Sequence, residues 1–148
     1  PPGYRLPGAV MGDLSLVRYG GYAALPAAQA LRLQLEREEP ESLAHGIHLI
    51  AVQSADGSLV VGDSHHYGAA PSPFASEAVD QLILHHLQTL LRLPSCRVTE
   101  RWVGQYVSSP HTDCLIDAPD AAVRRVIVTS GTGASTAFGI AEEVFDAW

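Results

Sequence analysis

Residues 46–64 read GIHLIAVQSADGSLVVGDS, and this stretch decides the fold class. Two β-rich runs, residues 46–53 and 58–64, flank Ser54-Ala55-Asp56-Gly57. Asp-Gly between apolar runs is the strongest short-range signal for a β-hairpin. Along the second run Leu59, Val61, Asp63 and His65 share one face, and Val60, Gly62, Ser64 and His66 share the other. Both faces begin apolar and end polar, so the strand runs into a site or an edge.

Helical patterns flank the hairpin. Upstream, residues 26–39 carry Pro26 where a first helical position tolerates it, Leu31 and Leu35 one turn apart, and Pro40 as a stop. Downstream, a Pro-punctuated loop over 68–74 leads to Ser76 as N-cap and a helix over about 77–93. Val79, Leu82, Ile83, Leu87, Leu90 and Leu91 repeat there at helical spacing. Alternation predicts strands over 14–19, 97–107, 114–117 and 123–129, and a last helix reaches about Trp148. A hairpin between helices does not fit the β-α alternation of a parallel sheet. The expected class is α+β, an antiparallel sheet with helices packed on one face.

Composition narrows the function classes. The chain has 148 residues, which suggests one domain, and its nine basic residues are all Arg against sixteen acidic ones, for a net charge of −7. A nucleic-acid groove needs clustered positive charge, so no nucleic-acid partner is expected. No apolar run approaches the roughly 20 residues of a spanning helix, and no polybasic anchor is present, so no membrane partner is expected either. Two cysteines, Cys96 and Cys114, make no disulfide framework and suit a reducing compartment, with the cytoplasm as default. The chain opens with Pro1-Pro2, which fits a piece excised from something longer.

Three features carry candidate chemistry. Ser130-Gly131-Thr132-Gly133-Ala134-Ser135-Thr136 follows an apolar strand and opens a helix, where N–H groups favour an anion or a polarised oxygen. It is neither a P-loop nor a full dinucleotide fingerprint, and a ligand-free tight turn explains it equally well. Seven His invite a metal reading: Asp63, His65 and His66 lie together, Asp63 and His65 face one way, and His45, His48, His85, His86 and His111 could join from elsewhere. No His-x-x-x-His or Cys-x-x-Cys pair supports it, so ordinary surface or core-edge His outweigh it and no metal is expected. Finally, Trp102, Gly104 and Tyr106 share a strand face, either as ordinary sheet packing or as a pocket wall with Gly104 as its floor. No nucleophile elbow is present, and Cys114 near His111 has apolar neighbours that favour burial over activation.

Taken in order, Gly62-Asp63-Ser64-His65-His66-Tyr67-Gly68, Arg101-Trp102-Val103-Gly104 and residues 126–134, followed by Phe138-Gly139-Ile140-Ala141-Glu142-Glu143, form a combination. It resembles the C-terminal half of FAD-dependent amine oxidoreductases of the D-amino-acid oxidase superfamily, the group with glycine oxidase and sarcosine oxidase. Within that superfamily the likeness is to a bacterial subgroup associated with phosphonate breakdown, and it runs from Tyr4 to Val144.

The resemblance implies a substrate-binding portion over about residues 1–120 and a strand-turn-helix over about 121–148 that returns to an FAD domain outside this chain. It implies FAD as cofactor in the full-length protein, with Gly131, Thr132, Gly133, Ala134 and Ser135 approaching the flavin ring. His65 takes the family position that reaches over the flavin, where an imidazole near its ordinary pKa of about 6.5 helps neutralise or orient the amine. The amino-acid oxidases hold the substrate carboxylate with an Arg where this chain has Tyr106. A phenol carries no charge, so a small amine or aminophosphonate is expected in place of an ordinary α-amino acid. Tyr106, His66, Arg18 and Trp102 are the substrate-binding candidates, with Tyr19 and Tyr22 beside Arg18.

The expected function is therefore the substrate-binding fragment of an FAD-dependent amine oxidase or dehydrogenase, inactive alone and partnered by the FAD-binding domain. The competing readings are a stand-alone small-molecule-binding or dimerisation module and a metal-dependent hydrolase on the His cluster. A sheet face left bare where a flavin domain docks would favour a homodimer.

Overall fold

The computed structural model describes residues 3–148. They form two compact units that divide between Val103 and Gly104. The fold class is α+β, and the antiparallel strands fall into two small sheets.

The first unit runs β1 (Val10–Met11), α1 (Asp13–Leu16), α2 (Gly20–Ala23), α3 (Pro26–Glu38), α4 (Pro40–Ala44), β2 (Ile50–Gln53), β3 (Leu59–Gly62) and α5 (Glu77–Leu90). Its sheet has the order β1-β2-β3, all antiparallel. The β2–β3 hairpin stands where the Asp-Gly signal puts it, with Gln53 opposite Leu59 and Ile50 opposite Gly62. Gly57 adopts φ +87°, which the turn requires and glycine accommodates. The Asp56 carboxylate accepts from the Ser58 N–H at 2.9 Å and its hydroxyl at 2.7 Å.

Parity explains the sheet's two faces. Ala51 and Val61 pair across the hairpin and turn inward, where Leu49, Ala51 and Leu87 of α5 form a buried cluster. Val52 and Val60, the neighbouring pair, are exposed on the other face. A second cluster joins Leu14, Val17, Leu35, Ile47 and Val79, so α1, α3 and α5 converge on the chain leading into β2. Each such side chain contributes about 1.5–3 kcal/mol on full burial. Among the described residues no helix is long and apolar enough to cross a membrane.

Two expected strands do not form. Residues 14–19 are not extended; α1 begins there instead, with the Asp13 carboxylate accepting from the Leu14 N–H at 2.9 Å. Leu14 and Val17 sit three apart and both bury, a helical spacing that outweighs the alternation seen in sequence. Residues 97–107 have no regular secondary structure, and their Val98, Val103 and Val107 are exposed. β propensity needs a paired neighbour to act on, and this stretch enters neither sheet.

The second unit holds β4 (Cys114–Asp120), β5 (Val123–Val128) and α6 (Gly133–Asp146). The two strands form a hairpin, Cys114 opposite Val128, with an irregularity between Asp117 and Asp120 where Pro119 interrupts the ladder. The Thr129 N–H donates to the Asp113 carbonyl at 2.9 Å, which carries the pairing past β5 to the Gly-rich turn.

Candidate functional site

Backbone pairing continues beyond β3 and builds a side-chain cluster. Inside the hairpin Ile50 faces Gly62, so regular register would place His48 opposite Ser64. The His48 N–H instead donates to the Asp63 carbonyl at 3.1 Å, and the Asp63 N–H donates to the His48 carbonyl at 3.0 Å. The register has slipped by one residue, and His48 meets Asp63. Further on, the His65 N–H donates to the His45 carbonyl at 3.0 Å.

The result is a compact constellation. His48 Nε2 lies 3.0 Å from Asp63 Oδ1, and His65 Nε2 lies 3.4 Å from Asp63 Oδ2. The two rings stack with centroids 4.9 Å apart. The far nitrogens are also engaged. His65 Nδ1 faces the Gly46 carbonyl at 3.3 Å, and His48 Nδ1 faces Ser15 Oγ at 3.4 Å. Tyr19 packs edge-on against His48, and Tyr67 stacks on His65. Both imidazoles are largely buried, whereas the Asp63 side chain is 56% exposed and is the open side of the cluster.

Electrostatics follow from this packing. Burial opposes the Asp63 charge, but the hydrogen bond and charge of His48, helped by His65 and Arg18, hold its carboxyl below the usual range. Burial pushes the His65 imidazole below its ordinary value; Asp63 pulls the other way, and the Arg18 and His48 charges add to the lowering. Arg18 itself donates to the Tyr67 hydroxyl at 2.9 Å, not to Asp63.

The sequence candidates are distributed unevenly. Arg18 and His65 are brought into this one neighbourhood. His66 turns away, as alternation requires, and pairs with His45 at 3.0 Å. Trp102 is 69% exposed and takes no part in the cluster. Tyr106 belongs to the second unit, where its ring lies against the Gly131 turn: a Cβ on Gly131 would sit 3.2 Å from Tyr106 Cε2. Thus Tyr106 and Gly131, assigned separately from sequence, are neighbours. The same-face pairing of Trp102 with Tyr106 does not hold, because no strand carries them.

Gly131 has φ +76°, and Gly133 packs on Val128 with a notional Cβ 3.6 Å from the Val128 Cβ. Ser130 Oγ bonds Thr132 Oγ1 at 2.7 Å. Thr132 is the N-cap of α6 and makes no side-chain cap bond; its carbonyl accepts from the Ser135 N–H at 3.0 Å and the Thr136 N–H at 3.2 Å.

Sequence reasoning named His48 only as one of five histidines that could join Asp63 and His65 from elsewhere, and it missed Ser15. The hairpin ladder brings His48 near the right end of β3, but only the slipped register makes it Asp63's partner. A second buried His, His86, takes Ser42 Oγ at 2.8 Å, with Glu39 at 3.6 Å. Ser42 and Glu39 both meet the same ring nitrogen, and Ser42 is fully buried, so this is a structural tie between α4 and α5 and not a nucleophilic triad.

The family model of FAD dependent oxidoreductases, DAO, matches residues 6–147. The chain belongs to this family of FAD-dependent oxidoreductases. No curated protein and no solved structure matches. For an FAD-dependent oxidoreductase the Gly131–Ser135 turn is a fitting flavin neighbour. It offers a helix N-terminus without a side-chain cap, a glycine held at positive φ and no acidic side chain in the first turn. The 148 residues contain no Gly-x-Gly-x-x-Gly run.

Proposed function

We propose that this chain is the substrate-side portion of an FAD-dependent oxidoreductase that oxidises a small amine or aminophosphonate. In this reading residues 1–120 bind substrate, and residues 121–148 return a strand-turn-helix to an FAD-binding domain carried by the same gene product in the cytoplasm. The single observation behind it is the family match over residues 6–147.

When bound, FAD would accept hydride from the carbon next to the amine. The chain's own residues do the rest. The backbone N–H groups of Gly131, Thr132, Gly133 and Ala134 are preorganised donors for an electron-rich pyrimidine edge, flanked by Ser135, whose own N–H is held by the Thr132 carbonyl. Asp63, the exposed member of its cluster, attracts the substrate ammonium, and His65 Nε2 beside it takes the proton that must leave before oxidation. Within the first unit Arg18 contributes charge beside Asp63 and Trp102 an exposed apolar face; within the second, Tyr106 at the Gly131 turn offers a phenol donor suited to a phosphonate or carboxylate oxygen.

Two protein samples test this reading. The 148-residue chain alone should retain little FAD and show no amine-dependent flavin bleaching. The full gene product, with its flavin domain, should carry a flavin spectrum that small amines or aminophosphonates bleach. Stoichiometric FAD retention by the short chain, or a full-length flavoprotein that no amine reduces, would overturn it.

A further inference from the structure

His48, Asp63 and His65 are more than a hydrogen-bonded group. Each offers one ligand atom, and the three atoms lie within 4.8 Å of one another. Zinc–nitrogen and zinc–oxygen bonds of about 2.0–2.1 Å place tetrahedral ligand atoms about 3.4 Å apart. The two carboxylate–imidazole distances, 3.0 Å to Oδ1 and 3.4 Å to Oδ2, are close to that spacing, with one imidazole at each carboxylate oxygen.

The outer contacts sharpen the point. A carbonyl oxygen only accepts, so His65 Nδ1 must carry its proton toward Gly46. Ser15 Oγ lies 3.4 Å from His48 Nδ1 and 3.5 Å from the Leu49 carbonyl, so the far nitrogen of His48 is engaged as well. With Nδ1 of His65 so engaged, its Nε2 is the nitrogen turned toward Asp63, and His48 Nε2 meets the other carboxylate oxygen. Imidazoles whose other nitrogen is tied to a carbonyl or hydroxyl are the usual arrangement of metal-bound His.

We propose that His48, Asp63 and His65 bind a divalent transition-metal ion of the zinc class. Two imidazoles and one carboxylate suit zinc and its neighbours and not magnesium or calcium, which take oxygen ligands. With the carboxylate bound through one oxygen, three protein ligands leave one position of a tetrahedral ion open. Arg18 is the nearby cation, and its tie to the Tyr67 hydroxyl keeps its guanidinium off the carboxylate. The inference does not rest on the flavin reading, although a bound metal would compete with an ammonium for the same atoms.

The test uses the chain after chelator treatment, with no FAD in any arm. ZnCl2 is titrated calorimetrically, and Co2+ serves as a spectroscopic probe. One equivalent of Zn2+ should bind, and Co2+ should give the intense visible absorption of a four-coordinate site. Asp63→Asn and His65→Ala, checked for folding by circular dichroism, should each weaken binding about ten-fold or more. His66→Ala, which breaks the neighbouring His45–His66 pair, should leave it unchanged. Without any substitution, Zn2+ should move the Nε2 15N resonances of His48 and His65 but not of His66. Absence of stoichiometric Zn2+ uptake overturns the proposal. So does uptake that survives Asp63→Asn and His65→Ala or that follows His66 instead.

Discussion

Gly46 and His65 hold each other from both sides of the hairpin extension. The Gly46 carbonyl takes the His65 Nδ1 contact at 3.3 Å, and a Cβ on Gly46 would fall 2.9 Å from the His65 carbonyl oxygen. Gly46 also has φ +58°, in the left-handed region. Gly46→Ala should therefore destabilise the first unit by about 1–3 kcal/mol. It should also displace the His65 ring, seen as altered His65 resonances by NMR. An unchanged denaturation midpoint would show that the segment gives way freely.

Ser42→Ala isolates the tie between α4 and α5. The fully buried hydroxyl meets His86 Nε2 at 2.8 Å and Glu39 Oε2 at 3.2 Å. Its loss leaves a buried ring nitrogen with only the longer Glu39 contact. The expected cost is about 1–3 kcal/mol, read from urea unfolding. FAD or Zn2+ binding should be untouched, because this cluster contacts neither proposed site.

Two glycines near the C-terminus should respond oppositely to the same change. At Gly131 the φ of +76° and the Tyr106 ring 3.2 Å away make Gly131→Ala destabilising by about 1 kcal/mol or more, with the Tyr106 ring signals shifted. At Gly139, inside α6, an added Cβ meets nothing within 4 Å. Gly139→Ala should stabilise by about 0.5–1 kcal/mol through helix propensity. Equal effects at both positions would remove the structural distinction drawn between them.

Acid should loosen the β2–β3 turn. The side-chain and backbone hydrogen bonds from Ser58 hold the Asp56 carboxyl below its ordinary value of 3.8. A depressed carboxyl contributes stability above the unfolded pKa and loses it as pH falls through the folded one. The window therefore lies at and below 3.8, and the effect is small because Asp56 is fully exposed. NMR titration of Asp56 should report a low midpoint, and Ser58→Ala should raise it.

Much of the first unit was readable because its signals are local. Pro26 opens α3 and Pro40 opens α4, each at a first helical position, so the stop read at Pro40 is also a new start. The apolar spacing of residues 77–90 gave α5, although it ends at Leu90, short of the position read from periodicity. Residues 14–19 misled because Leu14, Leu16 and Arg18 alternate while Leu14 and Val17 also stand one helical turn apart. A run that short satisfies both periods, and burial chose between them. Residues 97–107 misled because a strand's partner is invisible in its own sequence.

The sequence by itself determined the hairpin, through Asp56-Gly57, and the parity that sets Asp63 and His65 on one face and His66 on the other. Side-chain alternation is a property of the extended backbone and needs no neighbour. Tertiary structure decided that His48 joins them, that Ser15 and Gly46 fix the far ring nitrogens, and that Tyr106 covers Gly131. Those contacts depend on which residue stands across the ladder or across a fold of the chain. A one-residue slip between Ile50–Gly62 and His48–Asp63 changes every partner while leaving every local pattern intact.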